Sequence, residues 1–199
     1  MRSVAVVIVQ RLQKAGFEAY WVGGCVRDML LGREPHDYDI ATSARLEEIE
    51  KLFAHTIPAG RKFGVLLVIE DGRQFQVATF RAESEYRDGR HPTHVTFCDA
   101  RADARRRDFT VNGLFYDPIR DQLRDWVGGE ADLRAKILRT IGNPHERFAE
   151  DNLRLLRAVR FSAQLNFEIE SATFAAIRAN ASKIQNVSEI GRASCRERV

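Results

Sequence analysis

The stretch that most constrains this chain is residues 20–42, YWVGGCVRDMLLGREPHDYDIAT. A short apolar run ends in Gly23-Gly24, and a helical pattern follows in Val26, Met29 and Leu30. That order predicts a strand, a tight turn and a helix. Glycines at such a turn let the backbone approach a ligand, and a helix start offers N–H groups to an anion. Asp37-Tyr38-Asp39 then reads as a second strand, where residues two apart share a face. Two aligned carboxylates beside a phosphate cradle point to Mg²⁺ and a nucleoside triphosphate. Asp37 and Asp39 are therefore the candidate metal ligands, and Arg27, one helical turn past the glycines, the candidate cover for the phosphates. Taken alone, a Gly-rich turn and two surface aspartates form a common chance pattern. The added Arg27-Asp28 makes it far more specific.

With 199 residues, the chain has room for one large domain, or for one domain and part of another. A hydrophobic fraction of 44% supports a real core, and the 30% of charged residues nearly cancel to +3. The positive charge is mostly arginine, because lysine occurs only at Lys14, Lys51, Lys62, Lys136 and Lys183. Arginine suits bidentate contacts to phosphate and base edges, although a GC-rich genome produces the same bias. Cys25, Cys98 and Cys195 are far apart without CxxC spacing, which argues against a disulfide framework or zinc site and fits a reducing cytoplasm. No apolar stretch approaches the ~20 residues of a membrane span, so no membrane partner is expected. The apolar residues 4–9 run directly into Gln10, Arg11, Gln13 and Lys14, which marks a first helix and not a signal peptide. No protein partner is indicated.

In chain order, a helix is expected over 2–15, a strand over 17–22, a helix over 25–31, a loop over 33–36 and a strand over 38–41. Ser43 is the expected cap of a helix over 45–54, with Leu46, Ile49, Leu52 and Phe53 on one face. Residues 64–70 and 73–80 are β-rich runs joined by Asp71-Gly72, a strong hairpin signal. The polar residues 82–94 read as a mobile loop; His91 and His94 lack further ligands nearby and are taken as loop residues. A charged helix over 99–107 and a short strand over 123–127 follow, and helices are expected over 132–137, 144–150, 151–165 and 171–183. The fold class is α+β with a mixed sheet. A boundary is placed near residue 140, giving an α/β head over 1–140 and a truncated helical neck over 141–190. The tail 191–199 has no amphipathic pattern and is kept out of the fold argument.

Two further constellations carry chemistry. In residues 105–112, RRRDFTVN, the polar Asp108, Thr110 and Asn112 are threaded through an apolar segment. Buried polar groups need partners, and a ribose and triphosphate would supply them; the plain alternative is a solvated basic helix end. In residues 150–161, EDNLRLLRAVRF, Leu155, Leu156 and Val159 form an apolar face, while Asp151, Arg154 and Arg157 recur every three residues along another. Alone, this is most simply a salt-bridged surface helix. Its functional reading is specific: cytosine and adenine each present an exocyclic amine beside an unprotonated ring nitrogen. Asp151 can accept from the amine while Arg154 donates to the nitrogen. Guanine and uracil present the opposite pattern and leave both groups unpaired. Aromatic residues are not interleaved with arginine in a way that marks a stacking platform.

With these stretches together, the chain resembles the class II tRNA nucleotidyltransferase and bacterial poly(A) polymerase family. GGCVRDMLLG…HDYDIAT resembles its catalytic motif, RRDFTVNGLFYD its ribose-binding motif, and RTIGNPHERFAEDNLRLLRAVRF its nucleotide-recognition motif. The resemblance covers roughly residues 17–190, with the motifs in the family's order. It implies a polymerase-β-like head followed by a helical neck, with Mg²⁺ on the catalytic Asp37 and Asp39. It implies nucleotide contacts from Gly23, Gly24, Arg27, Arg107, Asp108 and Asn112, base reading by Asp151 and Arg154, and Arg157 and Arg160 near the nucleotide. The implied activity is template-independent addition of C and A to an RNA 3′ end, that of tRNA, from CTP and ATP with release of pyrophosphate. The body and tail that hold the tRNA would lie beyond this chain. A poly(A), A-only or C-only enzyme is the alternative, and a non-catalytic RNA-binding homologue the alternative of another class. One position departs from the family: Gln76 stands where a third active-site carboxylate, a glutamate, is usual. Gln76 is neutral and a weaker Mg²⁺ ligand.

Overall fold

Helix α1 (Arg2–Lys14) buries Ala5, Ile8, Val9 and Leu12, which share one face at helical spacing. The computed structural model describes residues 1–86 and 92–187. Strand β1 (Ala19–Val22) runs through Gly23 into α2 (Gly24–Leu30). Strand β2 (Asp39–Thr42), helix α3 (Leu46–Leu52) and strand β3 (Thr56–Gly60) come next. Strands β4 (Val65–Glu70) and β5 (Arg73–Thr79) make the expected hairpin. Its turn residues Asp71 and Gly72 have φ of 53° and 67°, the left-handed pair that a two-residue hairpin turn needs. Strands β6 (Arg81–Tyr86) and β7 (Pro92–Phe97), helix α4 (Ala100–Arg106) and strands β8 (Phe115–Asp117) and β9 (Gln122–Arg124) follow. The chain then continues through α5 (Gly129–Ala135), β10 (Ile137–Leu138), α6 (Pro144–Glu150), α7 (Leu153–Leu165), β11 (Glu168–Ile169) and α8 (Ser171–Asn180).

Seven strands form one mixed sheet in the order β3-β4-β5-β2-β1-β8-β9. Within it β2 and β5 run parallel, and the other neighbours are antiparallel. Strand alternation feeds two separate clusters. Trp21 and Ile40 join the core that holds α1 and α3, whereas Val22 and Ala41 join Phe80, Phe115, Ala100 and Ala104 beneath α4. Both faces are therefore covered. Val22 pairs with Asp39, so the glycine turn after β1 lies beside the first residue of β2. Beyond the head, β11 pairs in parallel with β10 and ties the helices that follow to it.

Several expectations are corrected. The second strand begins at Asp39; Asp37 and Tyr38 precede it, and Tyr38 is buried with its ring 4.7 Å from that of Trp21. Ser43 does not cap α3: its hydroxyl accepts from the Glu18 N–H at 2.9 Å, while the Glu48 carboxylate accepts from the Arg45 N–H at 2.7 Å, as the N3 residue of a capping box does. The segment expected as a mobile loop is largely the β6–β7 hairpin. Its polar sequence shows no apolar face, which is the signal that strand prediction needs. His94 falls on β7, and His91 lies outside the described residues, as do the tail 191–199 and Cys195. On α7, Leu155 and Ala158 face the core, while Val159 is 56% exposed.

Gly129 shows how tightly the turn around Thr110 is packed. A Cβ on Gly129 would lie 2.1 Å from the Thr110 carbonyl oxygen and 3.0 Å from Leu114 Cδ2. Thr110 has no room to retreat: its N–H donates to Arg139 O at 2.9 Å and its hydroxyl to the buried Asp132 at 2.7 Å. Glycine to alanine in a helix ordinarily adds stability. Here Gly129→Ala is expected to cost about 3 kcal/mol through overpacking. Urea denaturation measures it, and a neutral or stabilising result would contradict the packing described.

Candidate active site

A cleft of about 700 Å³ opens where the glycine turn, the start of β2, the segment after α4 and the helix α7 converge. Its lining includes Gly23, Gly24, Arg27, Asp37, Asp39, Arg107, Asp108, Asn112, Asp151, Arg154, Arg157 and Arg160. All twelve residues singled out in the sequence thus meet in one place. On α7 the lining residues Arg154, Arg157, Phe161 and Gln164 recur at helical spacing, so one face of that helix forms a wall. Seven arginines against five aspartates line the cleft, which makes it net cationic and suited to a polyanion.

The glycines act through space as well as through backbone freedom. Gly23 has φ of 74°, and a Cβ there would lie 3.3 Å from the guanidinium of Arg107. A Cβ on Gly24 would lie 3.7 Å from that of Arg27. The turn therefore leaves two arginines room to lie against the backbone. Cys25 is inert here: burial, then the nearby Asp39 charge, pushes its thiol up to about 12. Its Sγ–H points at Val22 O, 3.3 Å away.

Several of these arginines are held from behind by hydrogen bonds. Asp103 is 1% exposed and binds Arg106 Nε at 2.9 Å and Arg107 Nη2 at 2.9 Å. Burial alone would raise its carboxyl; Arg107 and Arg106 together outweigh that and hold it below the usual carboxylate range. Arg27 Nη1 donates to Asn112 Oδ1 at 2.8 Å, and its Nε to Asp28 at 2.8 Å. Asn112 Nδ2 donates to Asp108 at 3.2 Å, and Asp108 accepts from Arg157 Nε at 2.7 Å. This polar chain runs from α2 to α7. Arg154 Nη1 donates to Glu150 at 2.7 Å and to Arg147 O at 3.1 Å. Asp151 accepts from the Leu153 N–H at 2.9 Å. Arg154 and Arg160 are buried, so α7 is not the solvated surface helix that its charges alone suggest.

Asp37 is exposed and Asp39 half-buried at the cleft. Among the described residues no group of three or more His, Cys, Asp or Glu is arranged to hold a metal. Two carboxylates with phosphate oxygens and water are nevertheless an ordinary donor set for Mg²⁺, so the residues fit that ion. Gln76 precedes Val77, the partner of Ile40 across the parallel pair, which places it beside Asp39 and on the same face. It is exposed and does not line the cleft.

Sequence reasoning missed roles for Phe63, Arg81, Arg106, His36, Gln164 and Phe161, all lining the cleft, and for Asp103 behind it. Gln164 was readable from the helical spacing of α7. Arg81 lies over the Phe63 ring at 5.8 Å and donates to its carbonyl; no local pattern announces that pairing.

The buried Asp108 generates a pH-dependent expectation. Burial pushes its carboxyl up, but Arg157 and the N–H donors of Phe109 and Asn112 pull it further down, below the usual range. A depressed carboxylate adds stability above its unfolded value of about 4, and that contribution is lost as pH falls through the folded value. Asp108→Asn is expected to cost about 2 kcal/mol at pH 7. In denaturation curves the gap from wild type should narrow as pH drops below about 4; a gap independent of pH would refute the assignment.

Comparison with known proteins agrees with this geometry. Residues 19–139 match the poly A polymerase head domain family. A CCA-adding enzyme of Staphylococcus aureus (strain MRSA252) is 46% identical over 182 residues, 91% of this chain and 45% of that protein. The crystal structure of the Bacillus stearothermophilus CCA-adding enzyme in complex with CTP superposes with a TM-score of 0.85 at 41% identity, covering 94% of this chain and 45% of that one. A tRNA nucleotidyltransferase complexed with a primer tRNA and an incoming ATP analog gives a TM-score of 0.73 at 28% identity, with coverage of 91% and 52%. The chain thus spans about half the length of the relatives it matches. The match over most of the head, the polymerase-β-like fold and the likeness that extends into the helices after it establish one conclusion: this chain belongs to the class II tRNA nucleotidyltransferase and poly A polymerase family.

Proposed function

We propose that this chain is the head and nucleotide-selecting neck of a template-independent RNA nucleotidyltransferase that adds C and A to the 3′ end of tRNA. The observation that carries the reading is the meeting, in one cationic cleft, of two carboxylates at the start of β2, Asp37 and Asp39, with Asp151 just before α7 and Arg154 on it. The relatives bound to CTP, and to a primer tRNA with an ATP analog, support the same substrates here. Asp37 and Asp39 would hold Mg²⁺, which would offset negative charge on the triphosphate and make the attacking hydroxyl easier to deprotonate. Arg27 and Arg107 bind phosphate oxygens beside the glycine turn. Asp108 and Asn112 face the ribose while they fix Arg157 and Arg27. The RNA 3′-hydroxyl gives up its proton to water and bonds to the α-phosphorus, the bond from that phosphorus to the oxygen bridging it to the β-phosphate breaks, and pyrophosphate leaves.

Base choice follows from fixed protein donors and acceptors. Glu150 and the Arg147 carbonyl hold the Arg154 guanidinium, and the Leu153 N–H steadies Asp151. Such a pair accepts the amine edge of cytosine and adenine alike, so the protein itself does the template's work. Rejection of guanine and uracil comes from leaving these polar groups unpaired.

Binding and turnover test the reading separately. Calorimetry on this chain should show CTP and ATP binding at least about tenfold tighter than GTP and UTP. Arg154→Ala should abolish that preference, and equal wild-type affinity for GTP would sink the base-reading pair. With Mg²⁺ and tRNA lacking its 3′ end, the protein in its natural full length should incorporate CMP and then AMP. Asp39→Asn should lower the rate about a thousandfold or more. Long A tails would instead indicate the poly(A) alternative.

Gln76 offers a gain-of-function check. Gln76→Glu places a third carboxylate beside Asp39 and should lower the Mg²⁺ concentration for half-maximal activity about threefold or more. An unchanged Mg²⁺ requirement would mean that this position does not reach the ion.

A further inference from the structure

Phe161 stands at the centre of the cleft's charge. Its ring is 8% exposed and packs edge-to-face against Phe109, with centroids 5.9 Å apart. Three guanidinium groups gather on it: Arg160 at 4.6 Å, Arg157 at 5.0 Å and Arg27 at 5.4 Å from the ring centroid. Arg157 precedes Phe161 by one turn of α7, whereas Arg27 reaches it from α2 across the cleft. Three cations this close repel one another, and more strongly where water is partly excluded. A carboxylate at this position would relieve the repulsion but would also cancel charge and repel phosphate. An aromatic face attracts cations through its quadrupole while carrying no net charge. It lets the three arginines converge without offsetting their charge beyond what Asp28 and Asp108 already do on Arg27 and Arg157.

We propose that Phe161 is a positioning residue: its ring gathers Arg27, Arg157 and Arg160 toward the phosphates of the bound nucleotide and couples α2 of the head to α7 of the neck. The proposal rests on the nucleotide-binding reading above, and its test is arranged to separate the two.

Phe161→Leu keeps an apolar side chain and removes the ring; Phe161→Met does the same and serves if the leucine variant does not fold. Phe161→Tyr keeps the ring. Two readouts are taken on this chain: the Nε–Hε NMR signals of the three arginines, and the Kd for CTP and ATP by calorimetry. In the wild type all three Hε signals should carry the ring's shielding. The leucine or methionine variant should lose it, and its Kd for both nucleotides should rise about tenfold at unchanged fold, judged by the backbone amide spectrum. The tyrosine variant should preserve both readouts. Wild-type arginine signals or affinity in the ringless variants would overturn the proposal, as would a tyrosine variant as weak as the leucine one. A wild-type chain that binds neither nucleotide would defeat the nucleotide-binding reading and the phosphate half of this proposal, while the arginine signals would still decide whether Phe161 gathers the three side chains.

Discussion

The carboxylate of Asp108 is the constraint on which the rest of the cleft depends. It is 8% exposed, and its two oxygens serve Arg157 on one side and Asn112 and the Phe109 N–H on the other. Asn112 then holds Arg27. One buried charge thereby sets the distance between the glycine turn and α7. A buried ion pair seldom adds much net stability, because desolvation offsets the attraction. Its value here is in register: only one arrangement of α7 against the head leaves both Asp108 and Arg157 satisfied. The ring contact of Phe109 with Phe161 and the bridge from Phe109 to Thr140 fix the same seam with apolar and backbone contacts.

The same economy explains the small residues. Gly23 is needed less for its own conformation alone than for the space that Arg107 takes beside it, and Arg107 is in turn held by Asp103 of α4. Gly129 similarly makes room for the Thr110 carbonyl in the turn that carries Asp108 and Asn112. Small side chains and buried carboxylates are two halves of one device. The first opens a place for a long cationic side chain or a tight turn, and the second holds it there.

Much of this was legible in the sequence, for identifiable physical reasons. The strand–turn–helix at Gly23-Gly24, the Asp71-Gly72 hairpin and the helices α1, α6 and α7 follow from local patterning, in which a few neighbouring residues decide the conformation. The twelve candidate site residues were named from short runs of unusual chemistry and from the family resemblance that those runs carry, and the structure brings all of them to one cleft. What was hidden depends on contacts distant in sequence. The β6–β7 hairpin lacks the apolar alternation by which strands are recognised. The burial of Arg154 and Arg160 reflects what α7 packs against, which the helix's own periodicity cannot tell. The ring of Phe161 was read only as part of a motif, because two of its three arginines are its neighbours on α7 while the third arrives from α2.

The balance of charge has a consequence for how the proposed substrates enter. Seven arginines and five aspartates line the cleft, and Asp28 and Asp108 are already engaged with Arg27 and Arg157. A divalent cation approaching by itself meets a net positive field and finds two carboxylates, Asp37 and Asp39, with the neutral Gln76 alongside. A triphosphate meets the same field as an attraction and brings the oxygen donors that the cation lacks. Preorganised positive groups of this kind need no rearrangement when charge develops on the phosphates. In the proposed enzyme, therefore, metal and nucleotide would reinforce each other's binding: the nucleotide would supply oxygen donors to the ion, and the ion would reduce the charge that the arginines alone have to meet.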